Sequence, residues 1–177
     1  HLRQAANMSF NRISVDGDTS TNDSVFCLAN GLSGVTIETP ESRIVFQDLL
    51  NQVCLSLAKM IVRDGEGATK LVQIIAKNCR SQADAYKIAY TIAHSNLTKT
   101  AIFGQDPNWG RIMAAAGRAG VEIDTETMDL YFDDVTLVRS GIWVGSKAEA
   151  KAADVMKQEE LVITLDMNQG HHHDHFY

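Results

Sequence analysis

The feature that most constrains the fold is a long amphipathic stretch that begins at Pro40 and is stopped at Asp64-Gly65. Apolar residues recur there at intervals of three and four, which places them on one face of an α-helix. Proline suits the first turn of a helix, and a glycine often follows its end. The sequence therefore predicts a helix over residues 40–63. Its apolar positions are Phe46, Leu49, Leu50, Val53, Leu57, Met60 and Ile61.

Helices and strands alternate along much of the remaining chain, and strands gather towards the end. The patterns predict helices over residues 2–12, 81–95, 107–116 and 147–156, with Ala85, Ile88, Ala89 and Ile92 facing inward. They predict strands over residues 70–76, 98–103, 128–138 (broken at Asp133-Asp134), 142–144 and 161–165, and a short buried, strand-like element over 25–31. This order favours an α+β layered sandwich over a purely parallel sheet. Because the chain has two prolines and no low-complexity linker, we expect a single domain over residues 1–177.

Composition narrows the class of protein. With 177 residues, 45% of them hydrophobic, the chain can bury a substantial core, and its net charge is −6. No long basic run supports nucleic-acid binding, no run of 18 apolar residues suggests a membrane span, and the first residues do not resemble a signal peptide. The cysteines, Cys27, Cys54 and Cys79, are expected to be buried and reduced, as in a cytoplasmic protein.

Glu66 is the first candidate site residue because it lies between two glycines, Gly65 and Gly67. Glycines let the backbone adopt conformations closed to other residues and leave the carboxylate open to a ligand. Either the segment is a turn whose glutamate points into water, or Glu66 binds an ammonium group or takes part in proton transfer. The pattern alone leaves both interpretations open.

Other polar clusters have simpler interpretations. The stretch Asp16–Asn22 begins like a calcium loop but lacks the glycine at position six and the glutamate at position twelve, so a self-hydrogen-bonded polar turn is favoured. The segment ending at Arg111 could present helix amides and a guanidinium to an anion, although a capped helix with Trp109 in the core is favoured slightly. His94 fits a hydrogen-bonded residue at a helix end. The histidines of residues 171–175 could bind a transition metal but have no defined geometry, and we predict no metal site.

Three long motifs occur in order along the chain: SFNRISVDGDTSTND at 9–23, DGEGATK at 64–70 and DPNWGRI at 106–112. Together they resemble the β subunit of the arginine-biosynthesis ornithine acetyltransferase, or glutamate N-acetyltransferase, family, over about residues 9–165. The resemblance implies the sandwich fold of self-cleaving acetyltransferases with an N-terminal threonine, and a precursor that cuts itself before that threonine. The threonine hydroxyl then takes the acetyl group of N-acetylornithine and passes it to glutamate.

The resemblance also implies which parts of the enzyme this chain lacks. No threonine precedes Ser9, so the nucleophile belongs to an upstream segment, and the family's C-terminal substrate contacts lie beyond Tyr177. Oxyanion donors come from the α subunit, and an α2β2 assembly of cleaved halves follows. Glu66 corresponds to a substrate-binding carboxylate, while no catalytic residue carries over. No cofactor is implied, and whether acetyl-CoA also serves as donor stays open.

Two other functions compete with acetyl transfer. Related folds support self-cleaving aminopeptidases or amidases, in which water would discharge the acyl-threonine. The absence of the nucleophile also leaves room for a non-catalytic interaction fragment.

Overall fold

The structure, a computed structural model, describes all of residues 1–177. Its internal contacts divide the chain into two compact units, His1–Gly65 and Glu66–Tyr177. The single domain expected from the sequence stays a prediction.

The first unit is helical. Helix α1 (Leu2–Met8) is followed by a 3₁₀ turn (Phe10–Arg12), and α2 (Pro40–Arg63) confirms the long helix predicted from the sequence. Thr39 caps α2 by accepting a hydrogen bond from the backbone N–H of Ser42 at 3.2 Å. Helices α1 and α2 pack on each other, and His1 Nδ1 lies 2.6 Å from Gln47 Oε1 across their junction.

Only part of the predicted apolar face of α2 takes part in this packing. The buried residues of α2 are Gln47, Cys54, Ala58 and Val62. Four apolar residues form what we call the outer stripe, and their exposed fractions are 57% for Leu49, 56% for Val53, 47% for Leu57 and 57% for Met60. By length and composition alone α2 could also cross a membrane, a test that core helices of water-soluble proteins pass as well.

Residues 13–39 form neither helix nor strand. The buried element predicted over residues 25–31 is therefore wrong, since Phe26 is 83% exposed and Leu28 is 95% exposed. A short apolar run becomes a strand only where a neighbouring strand takes up its backbone hydrogen bonds, and no strand pairs with this run. The expectation that Cys27 is buried is wrong for the same reason.

The second unit contains one six-stranded mixed sheet in the order β4-β3-β2-β5-β1-β6. The strands are β1 (Leu71–Cys79), β2 (Asp129–Phe132), β3 (Val135–Arg139), β4 (Ile142–Trp143), β5 (Glu160–Asp166) and β6 (His172–Phe176). Only β1 and β5 are parallel, and all other neighbours are antiparallel. The predicted strand break at Asp133-Asp134 is the turn between β2 and β3. The mixed sheet agrees with the α+β class rather than a purely parallel one.

Four helices belong to the second unit: α3 (Gln82–Ala93), α4 (Asn96–Phe103), α5 (Trp109–Gly117) and α6 (Ser146–Val155). Helix α3 packs on β1 and β6, and α6 packs on β3. The predicted inward residues of α3, Ala85, Ile88, Ala89 and Ile92, are all buried in the hydrophobic core. Alternate residues of the central strands, such as Ile74 and Ile163, complete that core.

Three local predictions require correction. Residues 98–103 are not a strand but belong to α4, because Ser95 caps that helix by accepting from the Thr98 N–H at 3.3 Å. Helix α5 begins at Trp109 rather than Pro107, because Asn108 supplies the capping oxygen to the Arg111 N–H at 3.1 Å. The histidine-rich end has a defined geometry after all, since it forms β6 and pairs antiparallel with β1.

Candidate functional site

Glu66 lies in the connection between α2 and β1. The helix closes with hydrogen bonds from the Asp64 N–H to the Met60 carbonyl at 3.0 Å and from the Gly65 N–H to the Val62 carbonyl at 3.3 Å. The Glu66 side chain is exposed, and its carboxylate makes no hydrogen bond or ion pair in the structure. A carboxylate with all its acceptor positions open is available to a cationic ligand.

The two glycines beside Glu66 are required for different reasons. A Cβ atom on Gly65 would lie 2.8 Å from Val15 Cγ1 and 3.2 Å from the Val62 carbonyl oxygen, so the glycine allows a close approach. Gly67 has a φ of +71° with open space around it, so there the glycine supplies a left-handed backbone conformation. The contact of Gly65 with Val15 brings the first two sequence motifs together within the first unit.

The polar turn of the first motif is held by its own side chains. Asp16 Oδ1 accepts a hydrogen bond from the Asp18 N–H at 2.8 Å, and the Ser20 hydroxyl donates to Asn22 Oδ1 at 2.7 Å. All four residues are exposed. These Asx and Ser/Thr interactions confirm the self-hydrogen-bonded turn that the sequence favours over a calcium loop.

Arg111 in the third motif forms hydrogen bonds with the neighbouring helix. Its guanidinium donates to the Leu97 carbonyl oxygen at 3.2 Å and to the Thr100 hydroxyl at 3.1 Å, which ties α5 to α4. Trp109 packs partly buried against the hydrophobic core. The capped-helix interpretation of this segment is confirmed.

His94 is held by aromatic neighbours at the end of α3. Its ring stacks on Tyr90 with centroids 3.9 Å apart, and Nδ1 lies 2.9 Å from the Tyr90 carbonyl oxygen. Burial lowers the pKa of His94, and although this hydrogen bond opposes the shift, nearby Lys99 adds to it. These contacts confirm the hydrogen-bonded histidine that the sequence predicts at this helix end.

Two of the three thiols are buried and unsuited to nucleophilic attack. Burial, with the nearby Asp84 and Asp166 carboxylates, raises the pKa of Cys79 to about 11. Burial likewise raises the pKa of Cys54. Because the thiolate is the reactive form, both cysteines are structural at neutral pH. Cys27 is exposed.

A polar cluster that the sequence analysis did not single out lies across β1, β5 and β2. Asp166 accepts hydrogen bonds from Asn78 Nδ2 at 2.9 Å and from the Asn168 N–H at 3.0 Å, and pairs with Lys77 at 3.1 Å. Asp129 lies directly opposite Asp166 in the sheet register. Two carboxylates placed opposite each other repel. The ammonium group of Lys77, paired with Asp166, offsets that repulsion. The cluster lies at the opposite end of β1 from Glu66.

The histidine-rich strand β6 is joined to α3 rather than arranged around an ion. Gln82 Nε2 donates to the buried Asp174 carboxylate at 3.0 Å. Among residues 1–177 no group of three or more His, Cys, Asp or Glu side chains is placed to hold a metal ion.

The whole chain matches one protein family, since the sequence profile of the ArgJ family aligns with residues 1–177. The chain belongs to the ArgJ family. The arginine biosynthesis bifunctional protein ArgJ of Geobacter sulfurreducens is 48% identical over 171 residues, which is 96% of this chain and 44% of that protein. The glutamate N-acetyltransferase of Methanocaldococcus jannaschii is 48% identical over 176 residues, which is 96% of this chain and 43% of that protein.

A solved member of the family shares the fold. The crystal structure of the arginine biosynthesis bifunctional protein ArgJ from Bacillus halodurans superposes with a TM-score of 0.92 at 37% identity, covering 99% of this chain and 83% of that chain. The α+β sandwich class predicted from the sequence is thereby confirmed. The chain spans less than half the length of the curated relatives that it matches.

Proposed function

We propose that this chain forms most of the β subunit of an acetyltransferase that moves an acetyl group from N-acetylornithine to glutamate. The observation that carries the proposal is the match of the whole chain to a family whose relatives are named for arginine biosynthesis and for glutamate N-acetyltransferase. The three motifs on which the resemblance rests lie within that match.

Glu66 has the chemistry of a substrate-binding residue in this reaction. N-acetylornithine carries its acetyl group on the α-nitrogen, so its side-chain ammonium stays positively charged. An exposed carboxylate without a partner in the chain can pair with that ammonium through charge-assisted hydrogen bonds. Glutamate has no such ammonium, so Glu66 would select for the donor and not for the acceptor.

The acetyl transfer itself requires a threonine supplied from outside this chain. Its hydroxyl oxygen bonds to the acetyl carbonyl carbon as its proton passes to a nearby amine. That amine returns the proton to the ornithine nitrogen as the C–N bond breaks, so ornithine leaves as the free amine. The glutamate amine then attacks the acetyl-threonine ester, which returns the hydroxyl and yields N-acetylglutamate. Amide donors of the α subunit would hold the tetrahedral oxygen in both steps.

The threonine would be exposed by cleavage of a longer precursor. The crystallised Bacillus halodurans chain is only a little longer than this one, whereas the curated relatives are more than twice as long. This difference supports a protein that exists as two polypeptides. We propose an α2β2 assembly of the two halves in the cytoplasm.

The proposal is tested on the full precursor from which this chain derives. We expect two fragments, with a threonine at the N-terminus of the fragment that contains Ser9–Asp23, and transfer of acetyl from N-acetylornithine to glutamate. N-terminal sequencing and mass spectrometry of the products measure both. Acetate released in place of acetylglutamate would favour the hydrolase. An uncleaved, inactive protein would favour an interaction fragment.

A further inference from the structure

Lys70 ends the loop that carries Glu66, and its side chain is bonded to the turn between α6 and β5. The Lys70 ammonium donates a hydrogen bond to the carbonyl oxygen of Gln158 at 2.7 Å. The next residue, Leu71, donates its backbone N–H to the Glu159 carbonyl oxygen at 2.8 Å. Two consecutive residues at the end of the loop therefore hold two consecutive carbonyls of the turn, and all of them belong to the second unit.

The residues before Lys70 in this loop have no comparable attachment. Residues 66–69 are exposed, and none of them makes a hydrogen bond or an ion pair in the structure. A Cβ atom on Gly67 would meet nothing within 4 Å. A segment with so few contacts moves easily. The position of the Glu66 carboxylate relative to the sheet therefore depends on the Lys70 end, where the loop is held.

The turn that receives the Lys70 ammonium is itself held in place. The Gln158 backbone N–H donates to the Val155 carbonyl oxygen at the end of α6 at 3.0 Å. The carbonyl end of a helix carries a partial negative charge, which favours a cation near it. Strand β5 begins directly after the turn and pairs in parallel with β1. The ammonium is thus bonded to a fixed part of the second unit whose charge suits it.

We propose that Lys70 is a positioning residue for substrate binding, which holds the loop on the α6–β5 turn and so keeps the Glu66 carboxylate in place for the side-chain ammonium of N-acetylornithine. The inference rests on the proposed function, which gives Glu66 that partner. Ordering a loop when a ligand binds opposes binding, so an attachment made beforehand strengthens it. Lys70 acts through Glu66 and does not contact the substrate.

Steady-state kinetics of the processed enzyme tests this role. Lys70→Met removes the ammonium and keeps most of the length of the side chain. It should raise the KM for N-acetylornithine about threefold, the effect of one modest hydrogen bond. The kcat and the KM for glutamate should stay unchanged, and Lys70→Arg, which keeps a donor, should restore most of the loss. Lys151→Met, at an exposed position of α6, is the matched control. A wild-type KM for Lys70→Met, or a fall in kcat alone, would overturn the proposal.

A double-mutant cycle with Glu66→Gln tests whether Lys70 acts through Glu66. Once the carboxylate is gone, its position no longer matters, so Lys70→Met should have little further effect on the KM for N-acetylornithine. The full effect of Lys70→Met in the Glu66→Gln background would show that Lys70 contacts the substrate itself, and would overturn the positioning role.

The mobility of the loop is measured without substrate. A nitroxide label on Ala68→Cys reports it by electron paramagnetic resonance, in processed enzyme in which Cys27, which is exposed, and any other thiol that reacts are replaced by serine. Lys70→Met should increase the mobility of the label, and Lys151→Met should not. Unchanged mobility would overturn the proposed attachment.

Acetyl transfer is assayed on the wild-type enzyme, so that the two proposals fail separately. A more mobile loop in Lys70→Met, together with no transfer by the wild type, would overturn the proposed function and leave the attachment of the loop standing. Normal transfer with an unchanged loop would do the reverse.

Discussion

The guanidinium of Arg111 on α5 donates a hydrogen bond to the carbonyl oxygen of Leu97 on α4 at 3.2 Å. The same nitrogen also reaches the Thr100 hydroxyl at 3.1 Å. A carbonyl near the start of α4 is thereby bonded to a side chain near the start of α5. The charged residue of the third motif therefore joins two helices.

Replacing Arg111 with methionine should lower stability without affecting substrate binding. Loss of these hydrogen bonds should reduce the free energy of unfolding by about 1 kcal/mol. Arg118→Met is the matched control, since Arg118 is exposed near the other end of α5. Denaturant unfolding and the KM for N-acetylornithine, measured on the processed enzyme, check the prediction. A tenfold higher KM at unchanged stability would return Arg111 to the list of ligand-binding residues.

Replacing Glu66 with glutamine should weaken the use of N-acetylornithine and spare that of glutamate. Removing the charge while keeping the shape should raise the KM for N-acetylornithine about tenfold, the equivalent of about 1.4 kcal/mol. The KM for glutamate should change less than twofold, because the side chain of glutamate ends in a carboxylate and not in an ammonium group. Glu126→Gln, at an exposed turn position, is the matched control. Unchanged KM values for Glu66→Gln would support the other interpretation, in which Glu66 lies in a turn and points into water.

Replacing Gly65 with alanine should destabilise the loop by steric conflict. The added methyl group would lie 2.8 Å from Val15 Cγ1, so Val15 or the loop must shift, at a cost of about 1–3 kcal/mol. Adding Val15→Ala should restore part of the lost stability. Nothing lies near an added Cβ atom at Gly67, so Val15→Ala should not restore stability to the Gly67→Ala variant. Thermal unfolding of the three single variants and the two double variants measures this coupling, and strictly additive effects of Gly65→Ala and Val15→Ala would contradict it.

The sequence correctly predicted the features that are determined by residues a few positions apart. The inward face of α3 and the turn at Asp133-Asp134 are examples, because helix periodicity and turn residues are encoded within a few positions. Residues 98–103 were expected to form a strand, yet they lie in α4, which begins at the Ser95 cap. The loop that carries Glu66 was placed correctly between helix and strand.

Features that depend on distant residues were not predictable in this way. Lys77, Asp166 and Asp129 come from three strands, and only the sheet register brings them side by side. The same holds for α2: periodicity identified its apolar face but could not reveal which of its residues pack on α1 within the first unit.

The exposed Cys27 should react with alkylating reagents long before the other two thiols. Cys54 and Cys79 are buried, and the pKa of Cys79 is raised to about 11, so at pH 8 almost none of it is thiolate. Iodoacetamide should therefore label one cysteine in the folded chain and three after denaturation. Peptide mass spectrometry identifies the labelled position. Early labelling of Cys79 would show that β1 opens in the native state.

His94 should make stability depend on pH below about 6.5, the ordinary pKa of histidine. Burial lowers the pKa of His94 in the folded state, so the unfolded chain binds the extra proton more readily. Stability is therefore complete above the unfolded pKa and declines as the pH falls from there towards the folded pKa. The chain contains five other histidines, so the measurement compares wild type with His94→Gln. The variant should lose less stability than wild type between pH 7.5 and pH 5.5 in denaturant unfolding. An equal loss in both proteins would contradict a role for His94 in the pH dependence.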